Sequence, residues 1–277
     1  MVDFFDKEKK IADKKASLIF RVIGLIAILY VGWMIWDSFN NPELDANGCP
    51  IQGAYSEHVV LFDQTDTSKD KPIVEKDARE YLEKIKKNVP KYSRLSIYII
   101  TDDPKGTNIK AKVESCNPGY ISDLNILGRM GITVTVKKYM DNWNKNFNEI
   151  INPVINEIML PTSSPSSPIL EMINVVSIKN FKHSKSRYIN KLIIFSDFMH
   201  HTNEYSFYDP KSIDLKKFLE TPYSKKVYTS LRNIVDVALY CYKRPDNDQC
   251  GKKIEDFWNG YFNHIDDHKL DFYRIGS

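Results

Sequence analysis

The residues best placed to do chemistry follow an apolar run. Val59-Val60-Leu61-Phe62 passes directly into Asp63-Gln64-Thr65-Asp66-Thr67-Ser68. The run has the composition of a strand buried on both faces, as in a parallel sheet. Asp63, Thr65 and Thr67 then alternate where that strand would end. In open α/β sheets, ligands bind beyond the carboxyl ends of the strands. One carboxylate and two hydroxyls are hard oxygen donors, suited to Mg2+ or another divalent cation rather than to a soft metal. The plainer reading is that Thr67 or Ser68 caps a following helix.

Two further stretches offer oxygen donors. Pro161-Thr-Ser-Ser164-Pro-Ser166-Ser167-Pro168 has the composition of a linker. It leads straight into the apolar run Ile169–Val176, so Ser167 also reads as an N-cap with Pro168 at the first helical position. The run Lys191-Leu-Ile-Ile-Phe195 ends in Ser196-Asp197-Phe198, again a carboxylate at a strand end. Hydrolytic chemistry has a weaker basis. His200 and His201 follow Asp197, and a phosphoester hydrolase built on Asp63, Asp197 and His200 is one reading; no other histidine stands at ligand spacing, so the plainer reading is a surface loop. Asp63-Gln-Thr-Asp66 lacks the second Asp of an aspartyl-phosphate D-x-D, because position 65 is Thr. No G-x-S-x-G, P-loop or Cys–His nucleophile pattern occurs. Asp102-Asp103 reads as a solvated loop on the same edge.

The elements that must position these groups follow from periodicity. Strands are predicted at 58–62, 94–101, 191–195 and 235–242, with a short one within 108–116. Amphipathic helices are predicted at 72–89, 141–160, 169–176, 212–220 and 250–262. Pro153 should kink the second of these or mark a break. Strands alternating with helices predict an α/β domain of Rossmann-like type, a mostly parallel sheet with helices on both faces. Right-handed crossovers bring the strand ends to one edge.

The chain has 277 residues and a net charge of +3, which gives no argument for a nucleic-acid partner. Its cysteines are Cys49, Cys116, Cys241 and Cys250, without a C-x-x-C pair, so zinc and thioredoxin-like chemistry lack support. Cys241 and Cys250 are spaced to staple a loop, leaving Cys49 with Cys116, but four cysteines allow three pairings.

Residues 16–36, from Ala-Ser-Leu-Ile-Phe to Trp-Met-Ile-Trp, are apolar apart from Arg21. A helix of that length spans roughly 30 Å, the hydrocarbon thickness of a bilayer. Arg21 can snorkel at one end, and Trp33 and Trp36 sit at the other as an interfacial belt. Lysines precede the segment and acidic residues follow it. The positive-inside rule therefore predicts a single-pass inner-membrane protein, N-terminus cytoplasmic and the remainder periplasmic or otherwise extracytoplasmic. No A-x-A cleavage pattern follows the apolar stretch. The expected organisation is a basic tail at 1–15, a transmembrane helix at 16–36, a tether at 37–56 and the α/β domain at 57–277. The oxidising side of a membrane favours disulfides.

Taken in order, these motifs resemble the von Willebrand factor type A (vWA) family with a metal-ion-dependent adhesion site. The resemblance covers about residues 57–265. Asp63, Thr65 and Thr67 match the family's D-x-S-x-S with Thr for Ser. Ser164, or its neighbours Ser166 or Ser167, stands for the mid-chain Thr. Ser196-Asp197-Phe198 matches T-D-G. Asp63-Gln-Thr-Asp66 and Phe257-Trp258-Asn-Gly-Tyr261-Phe262 are similar to runs in membrane-anchored bacterial members. Phe198 replaces Gly, so that loop is expected to turn differently, and the serine cluster lacks the usual Gly-Thr. The resemblance implies Mg2+ held by Asp63, Thr65, Thr67, Ser164 and Asp197, with the carboxylates often acting through water. A metal so short of anionic ligands accepts a carboxylate from a protein partner. That is a non-enzymatic binding module, in a bacterial envelope complex or defence system. The alternatives are the hydrolase above or an assembly subunit whose site is vestigial.

Overall fold

Strand β1 (Glu57–Asp63) is buried at every residue, as a run of Val, Leu and Phe must be when both faces are covered. It pairs in parallel with β2 (Arg94–Ile100) on one side and β4 (Asn190–Ser196) on the other. Beyond β4 come β5 (Val235–Tyr242) and β6 (Leu270–Ile275), both parallel. A short β3 (Val113–Cys116) closes the opposite edge, antiparallel to β2. The six-stranded sheet has the order β3-β2-β1-β4-β5-β6. These relations come from a computed structural model that describes residues 18–33, 42–64, 71–100, 109–120, 133–159, 165–182, 184, 186–231, 235–242, 250–265 and 269–275.

The period-two alternation of β1 splits the core in two. Val59 and Leu61 join one cluster, and Val60 and Phe62 the other. The second cluster is covered by α2 (Lys71–Asn88), through Ala78 and Leu82. It is also covered by a long helical stretch, α3 (Thr133–Trp143), a π turn (Asn144–Asn148) and α4 (Glu149–Ile158). Trp143, Phe147, Ile151, Ile155 and Ile158 face inward along it. The break expected near Pro153 is thus a π turn just N-terminal to it. The first cluster is covered by α5 (Ile169–Val176), which runs into a second π turn (Ser177–Phe181). It is also covered by α6 (Leu215–Glu220), α7 (Pro222–Lys226) and α8 (Lys252–Ile265). The domain is an α/β fold with helices on both faces of a mostly parallel sheet.

Two disulfides are present, Cys49–Cys116 and Cys241–Cys250, which resolves the three possible pairings. The first ties the segment ahead of β1 to β3. That segment is also bonded by its backbone, with Cys116 N–H donating to the Asn47 carbonyl and Tyr55 N–H to that of Tyr92.

The chain divides into two units, Met1–Glu43 and Leu44–Ser277. In the first, residues 18–33 form helix α1, exposed along its length, with Leu18, Phe20, Leu25 and Ile28 among its apolar side chains. Among the described residues no helix is long and apolar enough to cross a membrane. The predicted span of 16–36 extends past both ends of α1, and those ends, like the tail at 1–15, lie outside the described residues.

Candidate metal centre

The β1 strand delivers Asp63 to the carboxyl edge of the sheet, fully buried. Its side chain leaves the sheet on the same face as Val59 and Leu61, toward the loop that leads into α5. There the Ser167 hydroxyl donates to Asp63 Oδ2 at 2.9 Å, and the Ser196 hydroxyl donates to the same oxygen at 2.7 Å. Three chain segments far apart in sequence thus meet at one carboxylate oxygen.

The serine loop is held there by its backbone. Ser167 and His201 exchange N–H···O bonds at 2.8 and 2.9 Å, an isolated bridge joining the loop before α5 to the loop after β4. The expected Ser167 cap does not form. Pro168 occupies the N-cap position without a side-chain bond, and the Ser167 hydroxyl is turned to Asp63 instead.

Asp197 follows Ser196 directly and is buried. Its Oδ1 accepts from Met199 N–H at 2.9 Å, and Ser196 Oγ accepts from Phe198 N–H at 2.8 Å. Phe198 itself has φ +60. Phe in place of Gly predicts a different turn; the residue instead adopts the left-handed conformation that favours glycine. Burial compensates: the Phe198 ring lies 5.5 Å from that of Trp258, whose Nε1 donates to the Phe198 carbonyl at 3.2 Å.

Two residues that the motifs did not single out hold β1 in place. Tyr242 OH, from β5, donates to the Asp63 carbonyl. Gln64 Nε2 donates to the Ile158 and Glu157 carbonyls at 2.7 and 3.2 Å, docking β1 onto the C-terminus of α4. Ser196 was quoted only as part of a motif, although its place ahead of Asp197 is that of the Thr in T-D-G. Thr65, Thr67 and Ser164 lie outside the described residues.

His200 does not join this group. It is fully buried among aromatic rings, its Nε2 bonded to Tyr223 OH at 2.9 Å and its Nδ1 4.0 Å from Glu171 Oε2. Burial, aided by His201, pushes its pKa down to about 3, so it is a neutral core imidazole. Its ring is engaged by Tyr223, Tyr205 and Phe207 in the core.

Compared by sequence, the chain matches no protein-family profile and no curated protein. Compared by structure, it is similar to an aerotolerance-related membrane protein from Bacteroides fragilis, solved with multiple mutations to serine. That likeness has 9% identity, covers 80% of this chain and 92% of that one, and has a TM-score of 0.36.

The donors at Asp63 suit a hard cation. Among the described residues no three His, Cys, Asp or Glu side chains come together, so carboxylates alone do not make a site there. What converges is one carboxylate and two hydroxyls with a second carboxylate adjacent in sequence, all oxygen, the donor class of Mg2+.

Proposed function

We propose that this chain is a membrane-anchored, extracytoplasmic binding module of vWA type. It would engage a protein partner through a Mg2+-dependent adhesion site, as a component of a bacterial envelope complex or defence system. The observation that carries the reading is the convergence of Ser167 and Ser196 on Asp63 Oδ2 at the carboxyl edge of a parallel sheet. The sequence 63–67 supplies further hydroxyls in D-x-T-x-T spacing at the same strand end. Residues 16–36 supply the anchor, with the lysine bias placing the domain outside.

Asp63, Asp197, Thr65, Thr67 and a serine of the 163–167 loop would hold the metal, with Ser167 favoured over Ser164 by its contact to Asp63. Mg2+, when bound, supplies an open coordination position for a partner's carboxylate. The chain's own residues orient that position. Ser196 and Ser167 hold one oxygen of Asp63, and the Asp197 turn is pinned by Met199 N–H. Gln64 and Tyr242 fix the strand end against helix α4 and strand β5.

The test is capture of partners from envelope extracts by the full-length chain in detergent, with Mg2+ or with chelator, and by Asp63→Ala. Capture that depends on both metal and Asp63 is expected. Capture indifferent to both refutes the adhesion mechanism. An extracytoplasmic reporter fused at the C-terminus checks orientation separately; an inactive fusion refutes the outside placement.

A further inference from the structure

Three loops meet at the amino edge of the sheet, the edge opposite Asp63. The segment 44–56 leads into β1, Tyr92 precedes β2, and Arg187-Tyr188-Ile189 leads into β4. Their backbones are joined. Arg187 and Tyr188 N–H both donate to the Tyr55 carbonyl, at 2.7 and 3.0 Å, and Tyr55 N–H donates to that of Tyr92 at 3.0 Å. The side chains follow. The Tyr55 ring lies 5.5 Å from that of Tyr92 and 6.0 Å from that of Tyr188. The Arg187 guanidinium sits 4.3 Å from the Tyr55 ring centre, and Lys91 Nζ 4.7 Å from that of Tyr92, both in cation–π range.

Around this plate the large apolar side chains are left uncovered. Ile51 is 61% exposed, Tyr188 51%, Ile189 48% and Leu44 42%. Leu44 bridges to Pro50, and Ile51 lies in the turn closed by Gly53 N–H on the Pro50 carbonyl, so these two share the first loop. Exposed apolar residues scattered singly need no explanation, but here the loops that carry them are bonded to one another. Tyrosines, aliphatic tips and the cations Arg187 and Lys91 in one patch are the composition that settles at a membrane–water interface. Acidic side chains on the first loop are Glu43 and Asp45, and Asp45 Oδ1 accepts from Asn47 and Cys49 N–H.

We propose that this edge docks on the anionic phospholipid headgroups of the membrane that holds the anchor. The inference rests on the anchoring read into residues 16–36. Only residues 37–43 lie between that span and Leu44, and the eight residue steps reach at most about 28 Å, a covalent limit that holds for any arrangement of the two units. The loop that carries Leu44 and Ile51 is therefore kept close to the headgroups. Each basic residue near an anionic surface raises the bound fraction about fivefold. Docking also orients the metal centre. Glu57 and Asp63 stand at opposite ends of β1, about 20 Å apart at the usual strand rise. With the amino edge on lipid, the carboxyl edge and Asp63 face the aqueous side.

The test is spin-label accessibility on the full-length chain reconstituted in phosphatidylcholine vesicles with and without phosphatidylglycerol. All four native cysteines are in disulfides, so Ile189→Cys or Ile51→Cys takes a single label. Tyr208→Cys, exposed in the loop after β4, is the control. With phosphatidylglycerol present, labels at both edge positions should be relaxed more by oxygen, which partitions into lipid, than by a water-soluble nickel complex, and the control should show the reverse. Arg187→Glu should lower the docked fraction at position 189 about fivefold or more. The proposal is overturned if the edge labels match the control or if Arg187→Glu changes nothing. Edge labels shielded from both probes mark a protein surface over the edge and overturn it equally. Flotation after an alkaline wash reads the anchor separately: a chain that does not float sinks both readings, and one that floats with its edge labels open to water overturns the docking alone.

Discussion

The hydroxyl of Ser167 donates to Oδ2 of Asp63 across 104 residues of sequence. Ser196 reaches the same oxygen from the neighbouring strand. Ser196 is also the acceptor for Phe198 N–H, so its loss removes two bonds in a buried site. Ser196→Ala is expected to destabilise the metal-free protein by about 2–3 kcal/mol, and Ser167→Ala by about 1–2 kcal/mol. Their effects should couple, because both act on one carboxylate. Thermal or urea unfolding of the two variants and the double variant, in chelator, measures this; additive effects of equal size would contradict the shared acceptor.

Glu57 and His58 are adjacent on β1 and titrate in opposite senses. Burial, opposed by Arg94 and aided by Glu114, raises Glu57 from 4.5 to about 7. Burial, aided by Lys191, lowers His58 from 6.5 to about 3. Between pH 3 and 6.5 the unfolded chain protonates at His58 and the folded one does not, so stability falls as pH falls. Between pH 4.5 and 7 the folded chain keeps the Glu57 proton more tightly, so stability falls as pH rises. Each slope approaches about 1.4 kcal/mol per pH unit. Glu57→Gln should therefore gain stability over wild type progressively from pH 4.5 to 7 and hold the gain at pH 8. Unfolding of both proteins across that range checks it, and a pH-independent difference would show that Glu57 is ionised throughout.

Phe198 combines a left-handed backbone with a buried ring. Removing the ring costs about 3–4 kcal/mol in lost packing. Glycine recovers roughly 1 kcal/mol of backbone strain that alanine does not. Phe198→Gly should thus be less damaging than Phe198→Ala, the reverse of the usual order. Chemical denaturation of the pair decides between this and an unstrained loop.

The two disulfides differ in what they hold. Replacing Cys49 and Cys116 by serine opens a 67-residue separation and should cost about 4–5 kcal/mol. Replacing Cys241 and Cys250 releases a separation of 9 and should cost about 2–3 kcal/mol. Cys241 Sγ, however, lies 3.8 Å from the Asp197 carbonyl. Mg2+ affinity, measured calorimetrically, should fall only in the second pair, a result that unfolding data alone would not produce.

The buried parallel strands were legible because their centres, between two layers of helix, are runs of Val, Leu, Ile and Phe such as Val59–Phe62 and Leu192–Phe195. Strand β6 was not: Leu270, Asp271, Phe272, Tyr273 and Arg274 lie at a half-exposed edge and show no apolar run. Helix α3 opens with Thr-Val-Thr-Val, β-branched residues whose local propensity favours strand over helix. At the candidate site, Asp63 and Asp197 were legible from their places at strand ends. That Ser167 reaches Asp63 depends on the backbone bridge between Ser167 and His201, a long-range contact that no local pattern encodes. Tyr242 and Gln64 gave no signal because one serves through its hydroxyl on a main-chain carbonyl and the other through a helix end.

The Cys49–Cys116 bridge also sets how the domain bears load. Tension entering from the N-terminal side reaches Cys49 before it reaches β1. The covalent link offers a second path through Cys116 to the edge strand β3. Asp63 lies inside the loop so closed. Traction between the chain ahead of the domain and a partner held at Asp63 therefore divides between β1 and β3, and β1 cannot be peeled from its N-terminal end without loading the neighbouring strands as well.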